Sequence, residues 1–176
     1  MVGRSNVGKS SLINSLLGTR LAQVSAAPGK TRLIHFYSWQ EASKIIVDLP
    51  GYGYARASQA DRNQWAQLIQ AYLKADGHLQ AALLLVDSRN GPSQLDRDAF
   101  DFLRSSGVAI QIVFTKSDGI KNQKERSQRH REANAILEDM EVDPKEAIWV
   151  SSQSGDRMNE LVNRIRSLDS ELKEEK

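Results

Sequence analysis

Short apolar runs alternate along this chain with longer stretches of helical spacing. Residues 81–87 (AALLLVD), 108–115 (VAIQIVFT) and 147–150 (AIWV) are continuous apolar runs of strand length. Such runs suit strands buried on both faces of a parallel sheet, with a buried helix segment as the competing reading. Their shortness, and the β-branched content of the second, favour strand. Residues 32–39 and 43–49 flank a short polar turn and predict an antiparallel hairpin. Helices fill the gaps. Trp65, Leu68, Ile69, Tyr72 and Leu73 share one face of a helix over residues 61–75, with Asp61 as its expected N-cap. Ala99, Phe100 and Leu103 mark a second helix, and Ala133, Ile136, Leu137 and Met140 a third. Met158, Leu161, Val162, Ile165 and Leu168 mark a last one, with Asp156 as its expected cap. The charged segment 171–176 is expected to fray as a tail. Strands alternating with helices predict an α/β fold, a doubly wound and mostly parallel sheet with helices on both faces. Ligands on such sheets bind beyond the carboxyl ends of the strands.

Composition narrows the picture. The length, 176 residues, and 40% hydrophobic content suit one globular domain, expected over residues 1–170. With no cysteine, the chain can form neither disulfides nor thiolate metal sites, and a cytoplasmic setting is expected. No apolar run approaches the roughly 18 residues of a membrane span. Residues 3–11 are polar and glycine-rich where a secretory leader would be apolar, so no leader is expected. A net charge of +2 makes any nucleic-acid contact a matter of a local patch.

The chemistry begins at residues 3–10, Gly3-Arg4-Ser5-Asn6-Val7-Gly8-Lys9-Ser10, which fit G-x-x-x-x-G-K-[ST]. The glycines let backbone N–H groups curl toward phosphate oxygens, and the helix expected over residues 10–17 adds its positive end. Lys9 is placed to reach the β- and γ-phosphates of a nucleoside triphosphate, and the Ser10 hydroxyl to ligate Mg²⁺. The motif should follow a strand, but only Met1 and Val2 precede Gly3. The N-terminal central strand is therefore expected to be truncated, with the phosphate loop anchored mainly on its helix side.

Three further strand ends carry polar residues. Residues 45–51 read Ile-Ile-Val-Asp-Leu-Pro-Gly, and a carboxylate ending a buried strand demands a cation or donors. Asp48 is expected to orient Mg²⁺ through water, and the Gly51 N–H to sense the γ-phosphate. At residues 114–118, Phe-Thr-Lys-Ser-Asp, the Asp118 carboxylate can accept from N1–H and the 2-amino group of guanine together, which selects GTP over ATP. The Lys116 stem is expected to cover the base. After the last strand, a backbone N–H at Ser152 or Gln153 would meet guanine O6, although a serine-rich loop is the default reading there. Thr31 is expected to complete Mg²⁺ coordination, making residues 18–32 a switch ordered by the γ-phosphate and residues 52–60 a second switch.

Taken together, GRSNVGKSSLIN, PGKTRLIHFY, VDLPGYGYA, the Trp65 helix, LLLVDSRNGPSQLD, TKSD and SSQSG resemble the EngB (YsxC/YihA) family of bacterial GTPases, in the class of Era, EngA, MnmE and septins. The resemblance runs from Val2 to about Val162. It implies a Ras-like P-loop fold in which the short first strand lies between the Asp48 strand and the 81–87 strand. It implies Mg²⁺-dependent GTP hydrolysis, a role in large ribosomal subunit assembly, and a requirement in cell division and septation. It carries nucleotide contacts onto Gly3, Arg4, Ser5, Asn6, Val7, Gly8, Lys9 and Ser10; Gly29, Lys30, Thr31, Arg32 and Leu33; Asp48, Leu49, Pro50 and Gly51; Thr115, Lys116, Ser117 and Asp118; and Val150, Ser151 and Ser152. Metal ligation falls to Ser10 and Thr31, with Asp48 in support. Ras-type enzymes place a water-orienting glutamine where this chain has Tyr52. Related GTPases with asparagine at the Asn6 position use bound K⁺ to supply positive charge. Slow, K⁺-stimulated hydrolysis is therefore expected, with Lys9, Thr31, Gly51 and Asn6 as the catalytic set and a monomer as the acting form. Two positions depart from the family pattern: Gly119 replaces a usual lysine after the T-K-x-D aspartate, and Arg157 stands near a usual glycine.

Other features carry less. The basic run over residues 121–131 fits either rRNA phosphates or a solvated helix face. His35, His78 and His130 lack a metal or triad pattern, Trp39, Trp65 and Trp149 fit core positions, and Asp96 and Asp98 read as helix-surface acids. Two rival functions remain at this stage, a small-molecule kinase, which would prefer ATP, and a fragment that binds GTP weakly or not at all.

Overall fold

The computed structural model describes residues 1–23, 33–53, 59–75 and 77–174. Its strands are β1 (Val2–Gly3), β2 (His35–Trp39), β3 (Lys44–Asp48), β4 (Ala82–Asp87), β5 (Ile110–Thr115) and β6 (Ile148–Trp149). Its α-helices are α1 (Lys9–Leu17), α2 (Gln59–Ala75), α3 (Gln94–Ser105), α4 (Gln123–Asp139) and α5 (Met158–Glu174).

Four strands form a parallel sheet in the order β1-β4-β5-β6, and β2 and β3 form an antiparallel hairpin. The two-residue β1 makes the central connection. On one side Val2 pairs with Leu84 and Gly3 with Leu85. On the other, Leu49 N donates to Met1 O at 3.2 Å, Tyr52 N to Gly3 O at 3.3 Å and Ser5 N to Tyr52 O at 2.9 Å. The segment leaving β3 thus runs beside β1, and the phosphate loop is held on its strand side as well as by α1. The expected anchoring on the helix side is corrected, because residues 49–52 also bond to the backbone of residues 1–5.

The strands alternate in the way that burial on both faces requires. Ala82, Leu84, Val86, Ile112, Phe114 and Trp149 face one apolar layer with Ile69 of α2, Phe100 and Leu103 of α3, and Ala133 and Leu137 of α4. Leu83, Leu85, Val113 and Ile148 face the opposite layer with Leu12, Ile13 and Leu16 of α1 and Leu161 and Ile165 of α5. Helices therefore cover both faces, as the sequence predicts. Each fully buried leucine contributes about 1.5–3 kcal/mol through the water it sheds.

The helix ends differ from expectation. Helix α2 begins at Gln59, so Asp61 lies inside it and is not its N-cap. Helix α5 begins at Met158, directly after Arg157 in the left-handed region at φ 52°, so Asp156 is not its cap either. Helix α5 continues to Glu174, through the first part of the segment expected to fray. None of the described helices is long and apolar enough to cross a membrane.

Candidate functional site

The carboxyl ends of β1, β3, β4, β5 and β6 gather the predicted motifs. Between β1 and α1 the chain turns through Asn6 at φ 65° and Gly8 at φ 107°. Asparagine tolerates the left-handed region, but the Gly8 value belongs to glycine. The turn exposes the amino end of α1, which starts at Lys9.

Lys9 and Asp48 meet in this turn. The Lys9 Nζ lies 2.6 Å from Asp48 Oδ1, with side-chain exposures of 9% and 4%. The contact lacks hydrogen-bond angles, so this buried oxygen is held by charge and accepts no bond among the described residues. A buried carboxylate oxygen is chemically suited to a hard divalent cation, and Ser10 lies nearby in sequence in the first turn of α1. Gly51 approaches the phosphate loop so closely that a Cβ there would lie 3.1 Å from Ser5 N and 3.2 Å from Ser5 Cα. Leu49 is buried, and Pro50 O accepts from Trp65 Nε1 at 2.6 Å.

The Tyr52 side chain reaches the start of α3. Its hydroxyl donates to Asp96 Oδ1 at 2.7 Å, and its ring meets Trp65 edge-on at 5.5 Å. Burial first, then the charge of Asp96, raise the Tyr52 phenol far above its ordinary pKa, so it stays a donor. Asp96 is 2% exposed, and its other oxygen accepts from Ser93 N and Oγ. The reading of Asp96 as a surface acid is thus overturned: it caps α3 and anchors Tyr52. The spacing Ser93-x-x-Asp96 was the available signal, since it fits a capping box. Asp98 is exposed and accepts from Gln94, as a surface acid does.

The end of β5 is tied to the phosphate loop. The buried Thr115 hydroxyl donates to Val7 O at 2.6 Å. Lys116, left-handed at φ 60°, donates to Asn6 O at 2.6 Å and to Asp87 Oδ2 at 2.9 Å. Burial pushes the Asp87 carboxyl up, but bonds from Arg89 and Lys116 together outweigh it and hold it at about 2. Asp87 and Arg89 fall in the LLLVDSRNGPSQLD stretch that carries part of the resemblance, and Asp87 has the same strand-end signal as Asp48, but neither received a role from the sequence. Ser117 N donates to Val150 O at 3.1 Å, and the Ser151 hydroxyl donates to Asp118 Oδ1. That hydroxyl oxygen also accepts from Gln153 N at 3.2 Å and Ser154 N at 3.0 Å. Ser152 lies in the same turn.

The structure therefore brings together residues 3–10, 48–51, 115–118 and 150–152 at one end of the sheet. Leu33 is 70% exposed, just before the hairpin. Gly29, Lys30, Thr31 and Arg32, most of the first expected switch and residues 54–58 of the second lie outside the described residues. Trp39 and Trp149 are core residues as expected, and Trp149 stacks between Phe114 and His130.

Comparison with known proteins agrees with this layout. Residues 1–116 match the family model described as 50S ribosome-binding GTPase. The probable GTP-binding protein EngB of Maridesulfovibrio salexigens is 44% identical over 166 residues, which span 94% of this chain and 79% of that protein. Its counterpart in Natranaerobius thermophilus is 44% identical over 168 residues, 95% and 85% of the two chains. A crystal structure of a probable GTP-binding protein engB superposes with a TM-score of 0.76 at 27% identity, over 97% of each chain. An Era variant from Aquifex aeolicus bound to GDP and aluminium fluoride shares the fold, with a TM-score of 0.75 at 24% identity over 95% of this chain and 55% of that one. On the match over residues 1–116 and the identity to these relatives, the chain belongs to the EngB family of P-loop GTP-binding proteins.

Proposed function

We propose that this protein is a slow, Mg²⁺-dependent and K⁺-stimulated GTPase that acts in assembly of the large ribosomal subunit and is needed for cell division and septation. The reading rests most on the Tyr52–Asp96 bond, since the side chain after Gly51 is committed to α3 and offers no amide to orient water. Residues 3–10 bind the phosphates, with Lys9 moving from Asp48 to the β- and γ-phosphates. Ser10, Thr31 and Asp48 hold Mg²⁺, which when bound neutralises charge on the phosphate oxygens. The Gly51 N–H contacts the γ-phosphate, Asn6 holds K⁺, and residues 29–33 contact the nucleotide. Asp118 reads guanine N1–H and the 2-amino group, Lys116 covers the base, and residues 150–152 complete the base pocket.

The ribosomal part is supported by the description of the matching family model and by the resemblance noted from sequence. Phosphate release from GTP, measured in K⁺ and in Na⁺ with and without large ribosomal subunits, tests the whole reading. Faster turnover in K⁺ and further stimulation by the subunit are expected. Equal rates in the two salts remove the K⁺ role, and no response to the subunit removes the ribosomal one.

A further inference from the structure

We propose that Arg89 is a positioning residue for the guanine-reading loop, a clamp for which Gly119 makes room. The inference rests on the reading that residues 115–118 hold the base.

Arg89 closes on Asp87 as a fork. Its Nε donates to Asp87 Oδ1 at 2.8 Å, its Nη2 to Oδ2 at 2.6 Å, and its backbone N to Oδ1 at 3.1 Å. The same Oδ2 accepts from Lys116 Nζ, which also reaches Asn6 O. One carboxylate thus joins two cations, one from the turn after β4 and one from the base loop, and through Lys116 the set is tied to the phosphate loop. Planar two-point pairing fixes Arg89 in direction as well as distance.

The stem of Arg89 then lies across the turn that carries Asp118. A Cβ built on Gly119 would stand 2.8 Å from Arg89 Cδ and 3.3 Å from Cγ. Any side chain at 119 would displace the arginine, whereas glycine lets it lie flat. Asp118 is also close enough for its charge to act on the Arg89 guanidinium. Gly119 is the departure from the family pattern noted in the sequence, where a lysine is usual. Here a cation occupies that place from the neighbouring strand end. The Arg89 side chain is half exposed, so solvent screens the pairing and the effect on nucleotide binding is modest.

The test uses the whole chain with fluorescent GDP and with IDP, whose hypoxanthine lacks the 2-amino group read by Asp118. R89A should release GDP about 3- to 10-fold faster, in the lower part of the range of coupling between contacting residues. It should lower the preference for GDP over IDP, with only a small fall in the ligand-free thermal midpoint because the Arg89 side chain is half exposed. R89K should recover part of the loss, because it keeps charge without the fork. G119A should shift release in the same direction, and R89A/G119A should release GDP no faster than R89A. Unchanged release in R89A, equal losses for GDP and IDP, or additive losses in the double variant would each overturn the clamp. D118N separates the layers: if it holds GDP as tightly as the unaltered chain, the base-site reading fails and the clamp falls with it. If D118N loses GDP and R89A does not, only the clamp fails.

Discussion

The ammonium of Lys9 stands 2.6 Å from the carboxylate of Asp48, and both side chains are buried. Each supplies the counter-charge that makes the other's burial tolerable, so removing one strands its partner. K9A should lower unfolding free energy by about 3–5 kcal/mol, the usual result of breaking a buried pair. K9M/D48N should be more stable than K9A, because no buried charge is left alone, while GTP binding is lost in both. Chemical denaturation of K9A, K9M, D48N and K9M/D48N checks this, and a double variant whose loss is the sum of the K9M and D48N losses would refute the pairing.

Tyr52 and Asp96 join the segment after β3 to the start of α3. Y52F leaves Asp96 Oδ1 without its donor and should cost about 1–3 kcal/mol of stability. Trp65, edge-on to the same ring, should report the change in its fluorescence. Turnover of bound GTP should change by less than about 10-fold, since losing a group that moves the proton of attacking water costs about 100-fold or more. A larger fall would mean that Tyr52 leaves Asp96 and takes part in the reaction.

Ser151 holds Asp118 through its hydroxyl while two backbone N–H groups fix that hydroxyl. S151A should free the carboxylate to rotate and weaken GDP binding by roughly 1 kcal/mol, the net value of one such bond. Titration calorimetry with GDP and ATP would measure it. ATP should bind no better, because the carboxylate remains present. Unaltered GDP affinity would show that Asp118 needs no support.

His130 stacks on Trp149 at 3.8 Å, and burial first, then Arg126 and Arg157, lower its pKa below the ordinary 6.5. The sign follows from linkage. As pH falls through 6.5 the unfolded chain takes up a proton that the folded one resists, so stability drops from there down to the lowered pKa. At pH 7.5 no such loss operates. Thermal unfolding at pH 7.5 and 5.5 should show a drop that H130F diminishes, and equal drops in the two proteins would contradict the effect.

Much of the site was legible because it is written in contiguous residues. Residues 3–10 are legible as a contiguous motif, and Asp48 to Gly51 and Thr115 to Asp118 sit at strand-to-loop transitions that the hydrophobic pattern reveals. Asp96 was misread because helical spacing near Phe100 says nothing of Tyr52, 44 positions earlier, which meets it only once β3 lies beside β1. The pairing of Asp87 and Arg89 was not legible for the same reason, since Lys116, which bonds the same carboxylate, comes from another strand. The helix caps failed more locally: an acid near a helix start was taken as its boundary, and backbone geometry at Arg157 decided otherwise.

By itself, then, the sequence determined the fold class, the order of elements and the phosphate and base motifs of the opening loop and of β5, because periodicity and short-range backbone demands are local. The tertiary structure alone decided what flanks β1, with β4 on one side and backbone bonds from residues 49–52 on the other. It also decided which carboxylates are buried against which cations. Those pairings depend on sheet order and register, which bring distant strand ends within a few ångströms and leave each charge to find its counter-charge there.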